Sequence, residues 1–321
     1  MGGLFSQLRY AGYGLAQTFP PKPEFSTDQI PDLTGKVTLV TGGNTGVGKE
    51  TVKALLEHNA KVYLAARNGD KAQKAIADLK AVTGKEAIFL ELDLASLKSV
   101  RAAAAEFLSQ EKELHILFNN AGVMWPPIDL LTEDGFDLQW GTNVVGHWLL
   151  TELLVPALAA AAKSSPDGHS RVVTTSSSGA YLESLHYDTF RDSPKRKKLG
   201  RQALYFQSKL GNAMVAREAA KRYADKGILS FTCNPGNLNT ELPRYATPFQ
   251  QAVIKRITYP AAYGALTQLW AGTMPETAKY NGEFLIPWAR VGKCKDEFYD
   301  DKETARLWAW LEEHTKETAA A

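Results

Sequence analysis

A short apolar strand that runs into a glycine turn and then into a helix restricts the fold of this chain more than any other feature. Residues 37–41 read Val-Thr-Leu-Val-Thr, and residues 41–48 read Thr-Gly-Gly-Asn-Thr-Gly-Val-Gly. A β-branched run between glycines is typical of a buried parallel strand. The glycines allow a tight turn and bring a phosphate close to the free N–H groups of the following helix. The segment therefore predicts a nucleotide-binding turn made of Gly42, Asn44, Thr45, Gly46, Val47 and Gly48.

The remainder of the chain alternates between strand-like and helix-like segments. The strand-like runs are residues 37–41, 61–65, 87–92, 115–119, 171–175, 229–233 and 283–286. The helical patterns between them are residues 49–58, 70–82, 97–110, 136–162 and 203–225. Strands and helices that alternate at this spacing form right-handed βαβ units. We therefore predict an α/β fold, a Rossmann-like doubly wound parallel sheet in three α/β/α layers.

The chain is predicted to form one domain with two short extensions. Its 321 residues contain no internal repeat, and no linker interrupts residues 36–290. We predict an N-terminal extension over residues 1–35, a nucleotide-binding domain over 36–300, and a C-terminal helix and tail over 301–321.

Composition argues against several classes of partner and cofactor. The 37 lysines and arginines nearly balance the 35 aspartates and glutamates, whereas nucleic acid binding needs clustered surplus positive charge. Cys233 and Cys294 are too few for a disulfide framework or a cysteine zinc site, and the histidines are too scattered for a metal. No uninterrupted run of about 20 apolar residues is present. We expect a cytoplasmic monomer or homodimer that binds a small molecule, without metal or nucleic acid.

The N-terminus leaves two interpretations open. Met-Gly-Gly-Leu-Phe-Ser fits the pattern for N-myristoylation at Gly2. Leu4, Leu8, Ala11 and Leu15 recur at helical spacing and would form one apolar stripe. Four glycines within the first 14 residues would weaken an isolated helix. We favour a short helix packed on the domain over a peripheral membrane attachment.

The end of the second strand distinguishes between two dinucleotide cofactors. A site for NAD places an acidic residue about 20 residues after the glycine turn, where it holds the ribose 2′-hydroxyl. Residues 64–68 read Leu-Ala-Ala-Arg-Asn, with alanine at that position and Arg67 next to it. A guanidinium binds a 2′-phosphate through a planar fork, whereas a carboxylate would repel it. The sequence therefore favours NADP(H), the alternative being that Arg67 is an ordinary solvated cation.

A tyrosine and a lysine lie four residues apart in Tyr-Phe-Gln-Ser-Lys, residues 205–209. On a helix these two side chains share a face. A nearby ammonium would lower the pKa of the Tyr205 phenol from about 10, which would make it a usable acid and base. Residues 176–178 are three serines at the end of a strand, where open parallel sheets bind ligands. One of their hydroxyls could stabilise charge on a substrate oxygen, and spacing alone does not say which.

Taken together, these residues resemble the short-chain dehydrogenase/reductase family over residues 36–290. Tyr-Leu-Ala-Ala-Arg, Gly-His and Arg-Val-Val-x-x-Ser-Ser are similar to its retinol-dehydrogenase and WW-domain-oxidoreductase branch, in a fungal form. Asn234 and Thr175 depart from that branch, which has histidine and an apolar residue there. The resemblance implies a catalytic set of Asn143, Ser177, Tyr205 and Lys209. It implies that the cofactor also contacts Asp93, Leu94, Asn120, Ala121, Gly122, Tyr205, Lys209, Pro235, Gly236, Leu238 and Thr240.

The reaction implied by the resemblance is hydride transfer between NADP(H) and a carbonyl or alcohol carbon. Tyr205 would exchange the proton of the substrate oxygen and Ser177 would stabilise its charge. Lys209 would hold the nicotinamide ribose, and Asn143 would organise a water that links Lys209 to solvent.

Two segments rich in aromatic and apolar residues, 181–201 and 242–259, are expected to form the pocket walls, together with Trp125 and Pro126. They indicate a roomy pocket for an apolar or aromatic substrate. The alternatives are an NADP-binding regulatory or scaffold protein without turnover, or an epimerase or dehydratase on the same fold. The intact tyrosine and lysine argue against the first, and the spacing of the glycine turn argues against the second.

Overall fold

Eight strands form one sheet at the centre of the computed structural model, which describes residues 2–239 and 258–316. The strands are β1 Val37–Thr41, β2 Lys61–Ala66, β3 Ile88–Glu91, β4 Ile116–Asn119, β5 Ser170–Thr175, β6 Ile228–Cys233, β7 Phe284–Ile286 and β8 Arg290–Val291. Their order is β3-β2-β1-β4-β5-β6-β7-β8. The first seven pair in parallel, which confirms the predicted doubly wound sheet. The eighth strand is antiparallel to β7 and was not predicted.

The helices connect and cover these strands. They are α1 Gly2–Thr18, α2 Gly46–Glu57, α3 Gly69–Thr83, α4 Leu97–Gln110, α5 Leu138–Ser164, α6 Pro194–Arg222, α7 Ala261–Thr273 and α8 Asp301–His314. Two of them are irregular. Helix α5 contains a π-helical turn at Gly141–Val145, and α6 is kinked at Gly200, where φ is 82°.

The core lies on both faces of the sheet, because successive residues of a strand point to opposite sides. On β1, Leu39 packs with Val100 of α4 and Leu150 of α5 in one buried cluster. The next residue, Val40, packs with Val52 of α2 and residues of α7 in the other. The two clusters establish the three-layer arrangement that the sequence predicted.

Helix α5 is long and apolar enough to cross a membrane by length and composition, but 67% of its most apolar window is buried inside the protein. It contacts the sheet, α4 and α6. The aromatic side chains of α8 extend this layer, since Trp308 meets Trp148 of α5 at 5.6 Å between ring centroids. Trp310 lies 6.2 Å from Trp140. The C-terminal helix therefore belongs to the core layer that contains α5.

A buried ion pair joins the beginnings of α5 and α6. The guanidinium of Arg196 is 1% exposed and donates from Nε to Asp137 Oδ2 over 2.9 Å. It also donates to the carbonyl oxygens of Ile128 and Leu130. The other carboxylate oxygen of Asp137 accepts the N–H groups of residues 139 and 140, which caps the first turn of α5. These contacts fix the relative position of the two helices that border the cleft described below.

We expect Arg196→Ala to lower the free energy of unfolding by about 3–5 kcal/mol, because it leaves the Asp137 carboxylate buried without its counter-ion. Urea denaturation followed by fluorescence measures the change. Lys195→Ala is the matched control, since the neighbouring lysine is 74% exposed and pairs with Asp188 at the surface; its unfolding curve should match that of the unsubstituted protein. Equal curves for the two variants would contradict the role given to the buried pair.

Candidate active site

A cleft of about 640 Å³ lies at the carboxyl ends of the central strands. It lies where the strand order reverses between β1 and β4, as expected for ligand sites in open α/β sheets. The lining includes the glycine turn after β1, the ends of β2, β4 and β5, one face of α6 and the Pro235-Gly236 loop after β6. Most of the site residues predicted from the sequence therefore line a single cavity. Its volume is common for small-molecule sites.

Within the glycine turn, Gly48 approaches the backbone of Gly42 too closely to carry a side chain. A Cβ on Gly48 would lie 2.3 Å from the carbonyl oxygen of Gly42 and 2.6 Å from Asn120 Nδ2. Gly42 itself has φ +66°. The N-cap residue Thr45 makes no side-chain hydrogen bond to the first turn of α2. The backbone N–H groups of that turn therefore face the cleft without a side-chain cap. This open helix N-terminus fits a pyrophosphate.

Thr41, the last residue of β1, is the centre of a polar network beneath the cleft. Its Oγ1 accepts the N–H groups of Asn120 and Ala121 over 2.9 and 3.0 Å, and Asn120 Nδ2 donates to the Thr41 carbonyl over 2.9 Å. His147 Nδ1 lies 3.0 Å from the carbonyl of Asn143, and because a carbonyl only accepts, this nitrogen carries the proton. The Thr41 hydroxyl then donates to His147 Nε2 over 2.8 Å.

His147 is a residue whose contribution the sequence did not reveal. It is buried against Thr41, and burial lowers its pKa to about 4, so the ring is neutral at physiological pH. The neutral ring ties the backbone at Asn143 to the strand that precedes the glycine turn. The only signal in the sequence was the Gly-His pair that marked the family branch.

Asn143 lies on the π-helical turn of α5, and such turns occur frequently at functional sites. Its Oδ1 accepts the N–H of Val123 over 2.9 Å, and its Nδ2 donates to the Val123 carbonyl and to Ser208 Oγ. The side chain therefore holds the loop that contains Gly122. A Cβ on Gly122 would lie 3.3 Å from Asn143 Oδ1 and 3.6 Å from Lys209 Nζ. The water predicted between Asn143 and Lys209 stays a prediction.

The structure brings Ser177, Tyr205 and Lys209 together at the end of β5. The Ser177 side chain lies close enough to the Tyr205 phenol to lower its pKa, and Ser177 Oγ accepts the N–H of Gly179 over 3.1 Å. Lys209 Nζ lies 5.8 Å from the centroid of the Tyr205 ring and donates to the carbonyl of Thr175 over 3.0 Å. Ser176, in contrast, donates to the backbone carbonyl of Lys209 over 2.6 Å. Among the three serines, the geometry therefore favours Ser177 as the one that acts with the tyrosine.

The protonation of these groups differs from the expectation. Burial raises the pKa of Tyr205 to about 12, although the neighbouring Ser177 side chain acts in the opposite direction. Burial also lowers the pKa of Lys209 to about 8. The prediction that the pKa of Tyr205 lies below 10 is wrong for the protein alone, because desolvation of the phenolate raises it. In this state the ammonium of Lys209 donates to the carbonyl of Thr175. Tyr205 therefore keeps its proton at neutral pH.

The end of the cleft that follows β2, called the far end below, contains two cations where one was predicted. Arg67 lines it with a side chain that is 66% exposed and lies 3.8 Å from the Asp93 carboxylate. Lys71 also lines this end and was missed, although it follows in the first turn of α3. Asn68 accepts the N–H of Lys71 over 2.9 Å and so begins that helix. Leu94 lies in the same wall.

The walls near Tyr205 differ in part from the prediction. Leu182, Trp125, Met124 and Phe206 line the cleft, but three aromatic residues expected there pack elsewhere. Phe190 stacks on Trp140 in the core at 3.6 Å between centroids, Tyr187 packs against Phe190, and Tyr181 packs against α1. Thr240 and the predicted wall residues 242–257 lie outside the described residues. Pro235, Gly236 and Leu238 line the cleft as expected.

Known proteins are similar to this chain in both sequence and fold. A family model described as short chain dehydrogenase matches residues 36–189. A short-chain dehydrogenase/reductase of Armillaria gallica is 57% identical over 303 residues, which are 94% of this chain and 97% of that protein. Retinol dehydrogenase 11 of Mus musculus is 44% identical over 216 residues, 67% of this chain and 65% of that protein.

A solved short chain dehydrogenase from Shigella flexneri, complexed with NADP, has the same fold. Its TM-score is 0.63 at 21% identity, and the match covers 80% of this chain and 98% of that chain. The sequence similarities confirm the family resemblance, including its retinol-dehydrogenase side.

We expect Gly48→Ala to destabilise the protein by about 1–3 kcal/mol, since the added methyl group meets backbone that must move. Gly69→Ala is the matched control: it also lies in the first turn of a helix, and its Cβ would approach no atom closer than 3.9 Å. The control should unfold at the same urea concentration as the unsubstituted protein, or slightly above, because alanine favours a helix. A Gly48→Ala protein as stable as the control would contradict the close approach.

Proposed function

The chain belongs to the short-chain dehydrogenase/reductase family of oxidoreductases, and we propose that it interconverts a carbonyl and an alcohol on an apolar or aromatic small molecule with NADP(H). The observation that carries the proposal is the convergence of Ser177, Tyr205 and Lys209 in the cleft that also contains the glycine turn, with Lys209 Nζ 5.8 Å from the centroid of the Tyr205 ring. A regulatory protein that only binds a nucleotide would have no need of this set.

The residues of the cleft match the two ends of a dinucleotide. The open N-terminus of α2 and the missing side chain at Gly48 leave room for the pyrophosphate. Pro235 and Gly236 line the cleft after β6, the neighbour of the strand that precedes Ser177, and would hold the nicotinamide. When bound, NADPH supplies the hydride, and the protein supplies orientation and charge.

In the direction of reduction, Tyr205 donates its proton to the substrate oxygen as that oxygen gains negative charge. A raised pKa suits this task, because the phenol is protonated throughout the neutral range. The Ser177 hydroxyl donates a second hydrogen bond to the same oxygen. With a pKa of about 8, Lys209 is mostly protonated at pH 7, and its positive charge stabilises the phenolate that Tyr205 becomes.

The preference for NADP(H) over NAD(H) rests on charge at the far end of the cleft. Arg67 and Lys71 line this end, and residue 66 is an alanine where an acid would repel a 2′-phosphate. The Asp93 carboxylate is turned toward Arg67.

The proposed substrate class follows from the side chains that line the cleft near Tyr205. Met124, Trp125, Leu182 and Phe206 present mostly carbon to the cavity. Leu182 is 63% exposed, so an apolar ligand would remove its side chain from water.

We expect Tyr205→Phe to lower kcat for reduction of a ketone or aldehyde by roughly 10²–10⁴-fold, because the proton donor is lost. The affinity for NADPH, measured by nicotinamide fluorescence, should stay close to that of the unsubstituted enzyme. Tyr223→Phe removes the hydroxyl of another buried tyrosine, one outside the cleft, and should leave kcat unchanged. Full reductase activity in Tyr205→Phe would exclude the proposed acid.

We expect Arg67→Ala to weaken NADPH binding by roughly 10–100-fold, the usual effect of losing charge-assisted hydrogen bonds to a phosphate. NADH binding should not change, since NADH has no 2′-phosphate. Lys74→Ala removes the same charge from an exposed position of α3 that does not line the cleft, and should affect neither dinucleotide. Equal weakening of NADPH and NADH, or of neither, would contradict the role of Arg67.

A further inference from the structure

One buried amide connects the N-terminal helix to the cleft. Gln17, near the end of α1, is 3% exposed, whereas Leu15 on the opposite face is 64% exposed. The face that packs on the domain contains Tyr10, Tyr13 and Gln17, and both tyrosine rings contact Tyr181 at 6.3 and 5.9 Å.

Packing on the domain was predicted for this helix, but through a different face. The side chains of Leu4 and Leu8 lie outside the described part of the chain, and Ala11 and Leu15 of the expected apolar stripe are exposed. Among the described side chains, the tyrosines and the glutamine, rather than Ala11 and Leu15, therefore pack on the domain.

Three hydrogen bonds use both N–H groups and the oxygen of the Gln17 amide. Its Nε2 donates to the carbonyl of Tyr13 over 3.1 Å and to Tyr181 Oη over 2.7 Å. Its Oε1 accepts from Asn234 Nδ2 over 2.8 Å. Asn234 is 2% exposed, and its own Oδ1 accepts the N–H of Gly236 over 3.0 Å. The result is a continuous polar chain from α1 to the loop that lines the cleft.

Backbone groups at both ends fix which groups donate and which accept along this series of hydrogen bonds. The N–H of Gly236 only donates, so Asn234 must turn its oxygen toward Gly236 and its NH₂ toward Gln17. At the other end, the Tyr181 hydroxyl donates to the carbonyl of Lys293 and is therefore free to accept from Gln17. A side chain that links the two must offer an acceptor on one side and a donor on the other. The terminal amide of glutamine does both.

The two segments joined by Gln17 follow the neighbouring strands β5 and β6, and both contribute residues to the lining of the proposed active site. Tyr181 ends the short helical turn Ser178–Tyr181 that directly follows Ser177. Asn234 directly precedes Pro235 and Gly236. Gly236 has φ +85°, and its Cα packs so closely on Trp288 that a Cβ would lie 3.0 Å from that ring. The loop is therefore closely packed at Gly236, where the side chain of Asn234 also binds its backbone.

We infer that Gln17 is a positioning residue of the active site, which holds the serine-bearing turn and the Pro235-Gly236 loop at a fixed separation. Helix α1 is thereby part of the catalytic framework, although none of its side chains from residue 9 to residue 18 lines the cleft. The inference rests on the proposed function in assigning this cleft to nicotinamide and substrate, but the hydrogen-bonded bridge can be tested without that assignment.

The first test measures the loop directly in the full-length protein without cofactor. Gln17→Met keeps the approximate length of the side chain and removes its polar end. We expect amide hydrogen exchange, followed by mass spectrometry, to become roughly 10-fold faster in peptides covering residues 234–239 and 178–182. Arg9→Ala breaks the exposed ion pair of α1 with Asp296, 2.6 Å long, and should leave both peptides unchanged. Unchanged exchange in Gln17→Met, or equally fast exchange in Arg9→Ala, would overturn the inference.

The second test separates positioning from general stability. We expect Gln17→Met and Asn234→Ala each to lower kcat roughly 10-fold, and the double variant to lower it by about the same factor, because both changes break one chain of hydrogen bonds. Independent effects, about 100-fold in the double variant, would overturn the inference, as would a kcat unchanged by Gln17→Met. If Gln17→Met does not fold, Asn234→Ala breaks the bridge from the other side in both tests. If the unsubstituted protein shows no turnover, the proposed function fails and hydrogen exchange still decides on the bridge.

Discussion

The parallel pairing of β1 with β4, at the point where the strand order reverses, is the constraint on which the other features depend. The chain leaves β1 toward α2 on one face, while the helix after β4 covers the opposite face. The gap between them is the cleft. The Thr41 hydroxyl closes its floor, since it binds the loop after β4 and the ring of His147 on α5. One side chain therefore holds the glycine turn, the loop at Asn120 and Ala121, and the π-helical turn in fixed relative positions.

The rest of the site is held by buried polar pairs between elements that are distant in sequence. Arg196 and Asp137 join α6 to α5, and Gln17 and Asn234 join α1 to the loop after β6. Each pair is buried, and each would leave an unsatisfied polar group if it were broken. The same burial acts on the reactive groups, where it keeps the tyrosine protonated and brings the lysine pKa down toward neutrality. The framework and the chemistry thus depend on the same exclusion of water.

Features that depend on local pattern could be predicted from the sequence, and features that depend on tertiary packing could not. Short apolar runs identified the seven parallel strands, and the four-residue spacing placed Tyr205 and Lys209 on one helix face. Strand β8 has two residues, too few for any periodicity. The pKa of Tyr205 was predicted in the wrong direction because its burial depends on the whole fold. Phe190 stacks in the core, and Gln17 finds its partner 217 residues away. No local pattern contains that information.

A crystal structure of the protein with NADPH tests the central claim most directly. The account predicts one dinucleotide in the cleft, with its pyrophosphate at the N-terminus of α2 and its 2′-phosphate beside Arg67 and Lys71. Its nicotinamide is predicted to lie between Tyr205 and the Pro235-Gly236 loop. A dinucleotide bound in the reverse direction, or outside this cleft, would contradict the account.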